Sequence, residues 1–499
     1  MSIIGKTSVN TIATLSLQIV TLLCGFLVPW LIIRYFGSEI NGLVSSLTQF
    51  LSYINIVEGG VGAVVLSNLY RPLATGDLVK ASAVVRTTEA FFKKLAAVFL
   101  IYEIVLAIAY PLLVRIPFSW IYVSSLTLIL GISTFVQYYF ALTWRLFLQA
   151  DKKMFVSVLA QGTAIVLNLG LTFLAIAILP EIHFVKFLSG LAFFAQPIIL
   201  NRYMRHHYRL RDDVKPDPDL LKQRWDGFGI NLAAMVHATT ATIVLTFTAS
   251  LEIVSVFSVY MLVANGLKSL VTSISAGITP SIGHYYGKDD IAGCTGLFDK
   301  YELLMFYASF LCFTVAAFSI TPFAMVYTSG TDNGAYYQPV LGYVLMLAEC
   351  LFCIRDPYVN MAYTAGHFKQ AGKYAYTEAA LNIALSVLLG IFWGIDGVSV
   401  ALLVSIAYRT LSQVLYLRKR ILLRSSKKFL IKLIAFAASF IIVAMISLTY
   451  VSPCDYTLLS WVVYTLKITI LAFVVYSGTC MVLQFRSIPR VFFGLFGRR

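Results

Sequence analysis

What this sequence has least of is charge. Asp, Glu, Lys and Arg make up 12% of its 499 residues, against 59% apolar, and the mean hydropathy is +0.83. Soluble globular domains are usually about a quarter charged, so a chain built mainly of water-soluble domains is excluded. Cysteine is sparse too, at seven residues. With the spans placed as below, only Cys454 falls in an outer loop, which rules out a disulfide framework. Cys350 and Cys353 form a C-x-x-C inside a hydrophobic span, where packing explains them better than metal or redox chemistry. Catalytic motifs are missing as well. GKT at 5–7 has no P-loop glycine upstream in this sequence, and GHYYGKD at 283–289 lacks the spacing. Neither H-E-x-x-H nor G-x-S-x-G occurs, and His206-His207 lie in a basic loop. No cofactor, metal site or enzymatic activity is expected.

What the sequence has in quantity is hydrophobic length. About 20 apolar residues suffice to cross a bilayer, and we read fourteen such spans: 8–33, 42–66, 93–113, 121–148, 155–180, 182–201, 226–248, 251–281, 300–326, 338–364, 374–393, 398–420, 429–450 and 459–482. Leu-, Ala- and Ile-rich runs of this length predict helices, whereas barrel strands would be shorter and alternating. The expected fold class is an all-α integral membrane protein. The first span has no small-residue cleavage site behind it and reads as a retained helix.

The excess of 38 Lys and Arg over 23 Asp and Glu gives orientation. With the N-terminus in the cytoplasm, inner segments hold 31 of the 38 cations, seven of them in 202–224 and seven in 418–432. The outer loops then hold only Arg34, Arg115 and Lys186. This is the positive-inside pattern, and it predicts both termini in the cytoplasm. The two rich loops are spaced like juxtamembrane anchors, so no nucleic-acid partner is expected.

An internal repeat organises the spans. Shifted by roughly 215 residues, GVGAVVLSNLYRPLATGD (60–77) falls on AGITPSIGHYYGKDD (276–290), and LFLQADKKMFVSVLAQGTAIVLN (146–168) falls near AYTAGHFKQAGKYAYTEAALN (362–382). The reading is an N-lobe over 1–201, a basic linker over 202–225, a C-lobe over 226–420, and 421–499 holding spans 13 and 14 with a basic tail. Each lobe has an even number of spans, so the repeats run the same way through the membrane. Such a pair would be related by an axis along the membrane normal, around a central cavity.

Charges inside spans are costly and by default face protein or a water-filled cavity. Arg34, Lys186 and Lys467 lie near outer ends, where snorkelling is the plainer explanation; Glu103 stands alone in mid-span. Lys268, Arg355 and Arg409 sit near the middle of three C-lobe spans. Glu349 and Asp356 share the span of Arg355, seven residues apart and so on one helix face. Two readings stay open: a cationic cavity for an anion, or mutual neutralisation as Arg355–Asp356 and Lys268–Glu349. Glu58, followed by Gly59, Gly60 and Gly62, is the matching charge of the N-lobe, beside small residues suited to close helix approach or a hinge.

Several stretches resemble a known family. RYFGSEINGLVSSLTQFLSYINIVEGGVGAVVLSNLYRPLATGD (34–77), FLQADKKMF (147–155) and AYTAGHFKQ (362–370) are similar to the polysaccharide transporters of the multidrug/oligosaccharidyl-lipid/polysaccharide (MOP) exporter superfamily, in particular the bacterial Wzx-type flippases. The resemblance covers essentially the whole chain and weakens after residue 420. It implies a flippase of the bacterial cytoplasmic membrane working by alternating access. The cargo would be undecaprenyl-diphosphate-linked sugar repeats for capsule or exopolysaccharide, with membrane lipids around the chain. A polysaccharide polymerase and chain-length machinery would be candidate partners. Relatives carry cationic cavities, which would give Lys268, Arg355, Arg409 and Arg34 to the substrate and leave Glu58, Glu349 and Asp356 as cavity acids or coupling groups. The rivals are a lipid II-type flippase, a multidrug or cation antiporter of the same superfamily, and a membrane-embedded polymerase, which would need a larger outer loop.

Overall fold

A computed structural model describes residues 3–114, 116–211, 213–225, 228–331, 334–422, 424–451 and 454–485; the side chains of 3–9, 11, 57–60, 223–231 and 484–485 lie outside that description. The described residues form helices joined by short turns. In the first half these are α1 (Ile3–Leu51), α2 (Asn55–Thr75), α3 (Leu78–Leu113), α4 (Trp120–Val136), α5 (Leu142–Ala150), α6 (Met154–Ile178), α7 (Ile182–Leu191) and α8 (Ala195–His207). In the second they are α9 (Phe228–Thr248), α10 (Leu251–Gly287), α11 (Ile291–Tyr327), α12 (Pro339–Thr364), α13 (Phe368–Arg420), α14 (Lys427–Tyr450) and α15 (Leu458–Phe485).

Among the described residues, ten helical stretches are long and apolar enough to cross a membrane. Two of them, Ile12–Ile54 and Phe368–Arg420, are broken by glycines with non-helical backbone, Gly37 (φ 85°) and Gly394 (φ 57°), and each supplies two spans. A residue with a Cβ is strained at such positive φ, which is why glycine stands at both breaks. With α9 and α12, every one of the fourteen expected spans falls on a helical segment. Helix α12 is less apolar than the ten for a chemical reason: Glu349, Arg355 and Asp356 sit in its middle. The surface is what a lipid solvent demands. Leu113, Ile121, Phe392 and Leu459 are each at least 68% exposed.

The chain forms two compact units. Unit 1 comprises 1–235 and 249–255, and its core packs Phe92, Phe99, Tyr138 and Phe147 from α3 to α5. Unit 2 comprises 236–248 and 256–499. There α14 and α15 lie against α11: the Phe436 and Tyr476 rings stack at 5.7 Å, and Tyr476 bonds Thr314 at 2.6 Å.

Local structure echoes the sequence alignment. The stretches at 60–77 and 276–290 both end in a left-handed residue, Gly76 (φ 71°) and Asp289 (φ 56°). An aspartate follows each and caps the next helix: Asp77 accepts from the Lys80 amide, and Asp290 from that of Gly293. The Lys80 amide, at 3.0 Å, holds the Asp77 carboxyl below the usual range. Similarly, Lys152 (φ 60°) and Gly366 (φ 76°) turn the chain in the second aligned pair. Asn168 bonds the Ser189 carbonyl, and Asn382 bonds the Ser405 hydroxyl.

Candidate functional site

Four of the mid-span charges of unit 2, Lys268, Glu349, Arg355 and Arg409, converge on one cluster. Lys268 Nζ on α10 lies 3.1 Å from Glu349 Oε2 on α12. Further along α12, the Arg355 guanidinium meets not its sequence neighbour Asp356 but Glu378 on α13, at 3.0 Å. Arg409, from the far half of α13, reaches the other oxygen of Glu378 at 2.5 Å. Thus one carboxylate holds two guanidinium groups, a geometry that suits the planar fork of arginine. His237 on α9 completes the set, 3.6 Å from Glu378 and 3.9 Å from Glu349.

The ring of Phe352 is the hub on which these groups are stacked. Its centroid lies 4.5 Å from the Arg355 guanidinium carbon and 5.1 Å from Lys268 Nζ, and the His237 ring stacks on it at 5.1 Å. Helical spacing explains the grouping: Glu349, Phe352 and Arg355 are three apart and share one face of α12. A cation over an aromatic face gains about 0.5–2 kcal/mol, more when water is excluded. Water is largely excluded here. Side-chain exposure is 0% for Glu349, 2% for Glu378, 3% for Arg355 and 9% for Arg409, and rises to 18% only at Lys268. Arg409 Nε is buried and has no hydrogen-bond partner among the described residues, a donor left over for an incoming acceptor.

The expected pairings therefore split. Lys268–Glu349 forms as written, whereas Arg355–Asp356 does not. Asp356 turns to α10 instead: the Ser275 hydroxyl donates to it, and Asn360 joins at 2.9 Å. Lys268 and Ser275 are seven apart on α10, as Glu349 and Asp356 are on α12, so the two helices meet in matching register. Arg34 is placed elsewhere, in unit 1, exposed and 5.3 Å over the Trp30 ring. The side chain of Glu58 lies outside the described residues, as do those of Gly59 and Gly60. Gly62 makes no close helix approach, because a Cβ there would meet only Leu146 at an ordinary 3.6 Å.

Glu103, alone in its span, is 3% exposed and lies against Gly131, where any Cβ would fall 1.7 Å from its Oε1.

Sequence reasoning missed Glu378, His237 and Phe352. The available signal was register: Glu378 stands one turn before Asn382, the residue already singled out by the repeat. It also missed a second ionic group at one end of unit 2. There Glu302 on α11, fully buried, receives Arg424, Lys432 (2.5 Å) and the Tyr358 hydroxyl, while Asp299 holds Arg424 (2.7 Å) and Lys428 (2.6 Å). This group clamps the start of α14 to α11 and α12.

No family profile matches the chain, and no curated protein matches it. Solved structures do. A lipid II flippase, MurJ, in an inward closed conformation, aligns over 98% of this chain and 99% of its own, with TM-score 0.73 and 14% identity. An inward-facing multidrug-resistance MATE transporter of the MOP superfamily aligns over 82% of this chain and 98% of its own, with TM-score 0.67 and 14% identity. A MATE transporter in a bent conformation aligns over 86% of this chain and 97% of its own, with TM-score 0.61 and 13% identity. The fold is all-helical and shares the architecture of these flippase and transporter structures.

Proposed function

We propose that this chain is a flippase that carries polyprenyl-diphosphate-linked oligosaccharide repeat units from the inner to the outer leaflet of a bacterial cytoplasmic membrane, by alternating access and without chemical change. The observation that carries the reading is the length of the fold match. The MATE transporters account for nearly all of their own chains but for 82% and 86% of this one, whereas the flippase matches end to end. The additional helices favour a lipid-linked cargo, whose long tail needs a protein surface open to the bilayer. The unit 2 cluster supports it further. Arg355, Arg409 and Lys268 are the groups we assign to the diphosphate, with Glu378 as the carboxylate that holds the arginines when no substrate is bound. Glu349 is the partner that Lys268 would leave.

The test is the leaflet location of labelled lipid-linked sugar in a strain lacking the protein. Complete repeat units are expected to accumulate facing the cytoplasm, with surface polymer lost. Outer-leaflet repeat units at normal abundance would overturn the proposal. A second reading, transport of lipid II itself, is favoured by the fold match to the lipid II flippase; accumulation of lipid II instead of the glycan lipid would select it.

The proposed orientation, both termini in the cytoplasm, needs introduced cysteines, because the native Cys294 and Cys454 are buried. In a cysteine-free background, Asp455→Cys is expected to react with an impermeant thiol reagent on intact cells. Asp289→Cys, equally exposed, is expected to react only after permeabilisation. The reverse pattern would invert the topology.

A further inference from the structure

A cavity of about 270 Å³ lies wholly within unit 1, among α1, α2, α4, α6 and α7. Its lining is unlike that of a packing defect. Asn55, Ser133, Thr134 and Asn168 present amides and hydroxyls to it, Phe193 gives an aromatic wall, and Lys186 brings one cation. Depth makes these groups informative. Ser133 is thirteen residues from the start of α4 and Asn168 ten from the end of α6, about 20 and 15 Å at 1.5 Å per residue. At such depth in a bilayer, polar side chains are retained where they line a water-filled or ligand-filled space.

The hydrogen-bond inventory shows what is left for a ligand. Asn55 Oδ1 accepts from the Tyr138 hydroxyl at 2.7 Å, which leaves its amide NH2 free among the described residues. Asn168 is the reverse: its NH2 donates to the Ser189 carbonyl at 2.8 Å, leaving the amide oxygen free. The Thr134 hydroxyl has no partner among the described residues either. Lys186 is part of the same lining, and its ammonium has no carboxylate and no hydrogen-bond acceptor among the described residues.

We propose that this cavity is a saccharide subsite, and that it takes a sugar ring carrying a single carboxylate. This rests on the glycan-lipid reading above and names which part of the cargo is recognised. Free donors and acceptors on two amides and a hydroxyl match ring hydroxyls, which both donate and accept. Phe193 suits the apolar face of the ring. A lone ammonium is a compact point charge and matches one carboxylate, whereas a diphosphate calls for the paired arginines found in unit 2. A cationic drug is disfavoured, because the lining has no acid. The volume of about 270 Å³ lies just below the roughly 300–1,000 Å³ of drug-sized sites, and so suits one ring of the repeat unit and no more.

The experiment uses the purified full chain in lipid nanodiscs and ligand-detected NMR with two probes, D-glucuronate and D-glucose. In the wild type, glucuronate is expected to bind at least tenfold more tightly than glucose. Lys186→Gln should bring the two together, and Asn168→Leu should weaken both; thermal unfolding of each variant without sugar checks that the fold is kept. Equal binding of the two sugars by the wild type would overturn the proposal. So would binding of neither, or a glucuronate preference that survives in Lys186→Gln, as it would if Lys186 only anchors unit 1 at the lipid surface. The leaflet assay reports separately on the flippase reading. A flippase of uncharged repeats would pass that assay and fail this one, and a sugar-acid binder of another function would do the opposite.

Discussion

Replacing Glu378 with alanine is expected to remove most of the protein from the membrane. That one carboxylate holds Arg355 at 3.0 Å and Arg409 at 2.5 Å, and all three side chains are at least nine-tenths buried. Removing one partner of a buried ion pair typically costs about 3–5 kcal/mol, because the remaining charge is left desolvated. Here two guanidinium groups lose their partner together. Glu349 cannot take over, since it is engaged with Lys268. The measurements are the amount of full-length protein in membranes and its thermal unfolding in detergent.

A triple variant separates structure from transport. Glu378→Leu with Arg355→Met and Arg409→Met replaces the carboxylate and its two guanidinium groups by apolar groups of similar size, a change that is often neutral or stabilising. Its protein level is expected to recover while export stays absent, because both arginines assigned to the diphosphate are gone and Lys268 remains paired with Glu349. Export at the wild-type rate would take the cluster out of the transport path. Arg355→Lys should fall between, since an ammonium cannot form the bidentate fork.

Glu302 is the other position where a single substitution is expected to do great damage. Its carboxylate gathers Arg424, Lys432 and the Tyr358 hydroxyl at a site with no solvent contact, and it ties α14 to α11 and α12. Glu302→Ala leaves Arg424 with Asp299 and the Tyr358 hydroxyl, and leaves Lys432 with no carboxylate within ion-pair distance among the described residues. A loss of about 3 kcal/mol or more is expected, by the same argument of an uncompensated buried charge. The local sign should be faster tryptic cleavage in the 418–428 segment, where Arg418, Arg420, Arg424, Lys427 and Lys428 offer sites. Glu302→Gln keeps an acceptor for the Tyr358 hydroxyl and should cost less. Unchanged cleavage in Glu302→Ala would show that the apolar packing of Phe306, Phe310 and Phe436 suffices to hold α14 by itself.

The helical class and the approximate placement of the membrane spans were legible in the chain before any folding. Hydrophobic length is a local property, so each of the fourteen expected spans could be read from its own residues, and each falls on a helix. The same reading marked Lys268, Glu349, Arg355 and Arg409 as charges needing a reason, because the cost of a charge in lipid holds whatever the neighbours are. Their partners were not legible. Arg355 ignores the adjacent Asp356 and takes Glu378, 23 residues on. Adjacent residues on a helix point about 100° apart, while a neighbouring helix can present a side chain head-on. His237 joined the site for the same reason, through packing of α9 against Phe352 of α12 that no single span encodes. The free Lys186 in its polar cavity likewise became visible only when α4, α6 and α7 stood side by side. Helices in lipid follow from composition along the chain, but which charges neutralise each other, and which remain for a ligand, depends on contacts across it.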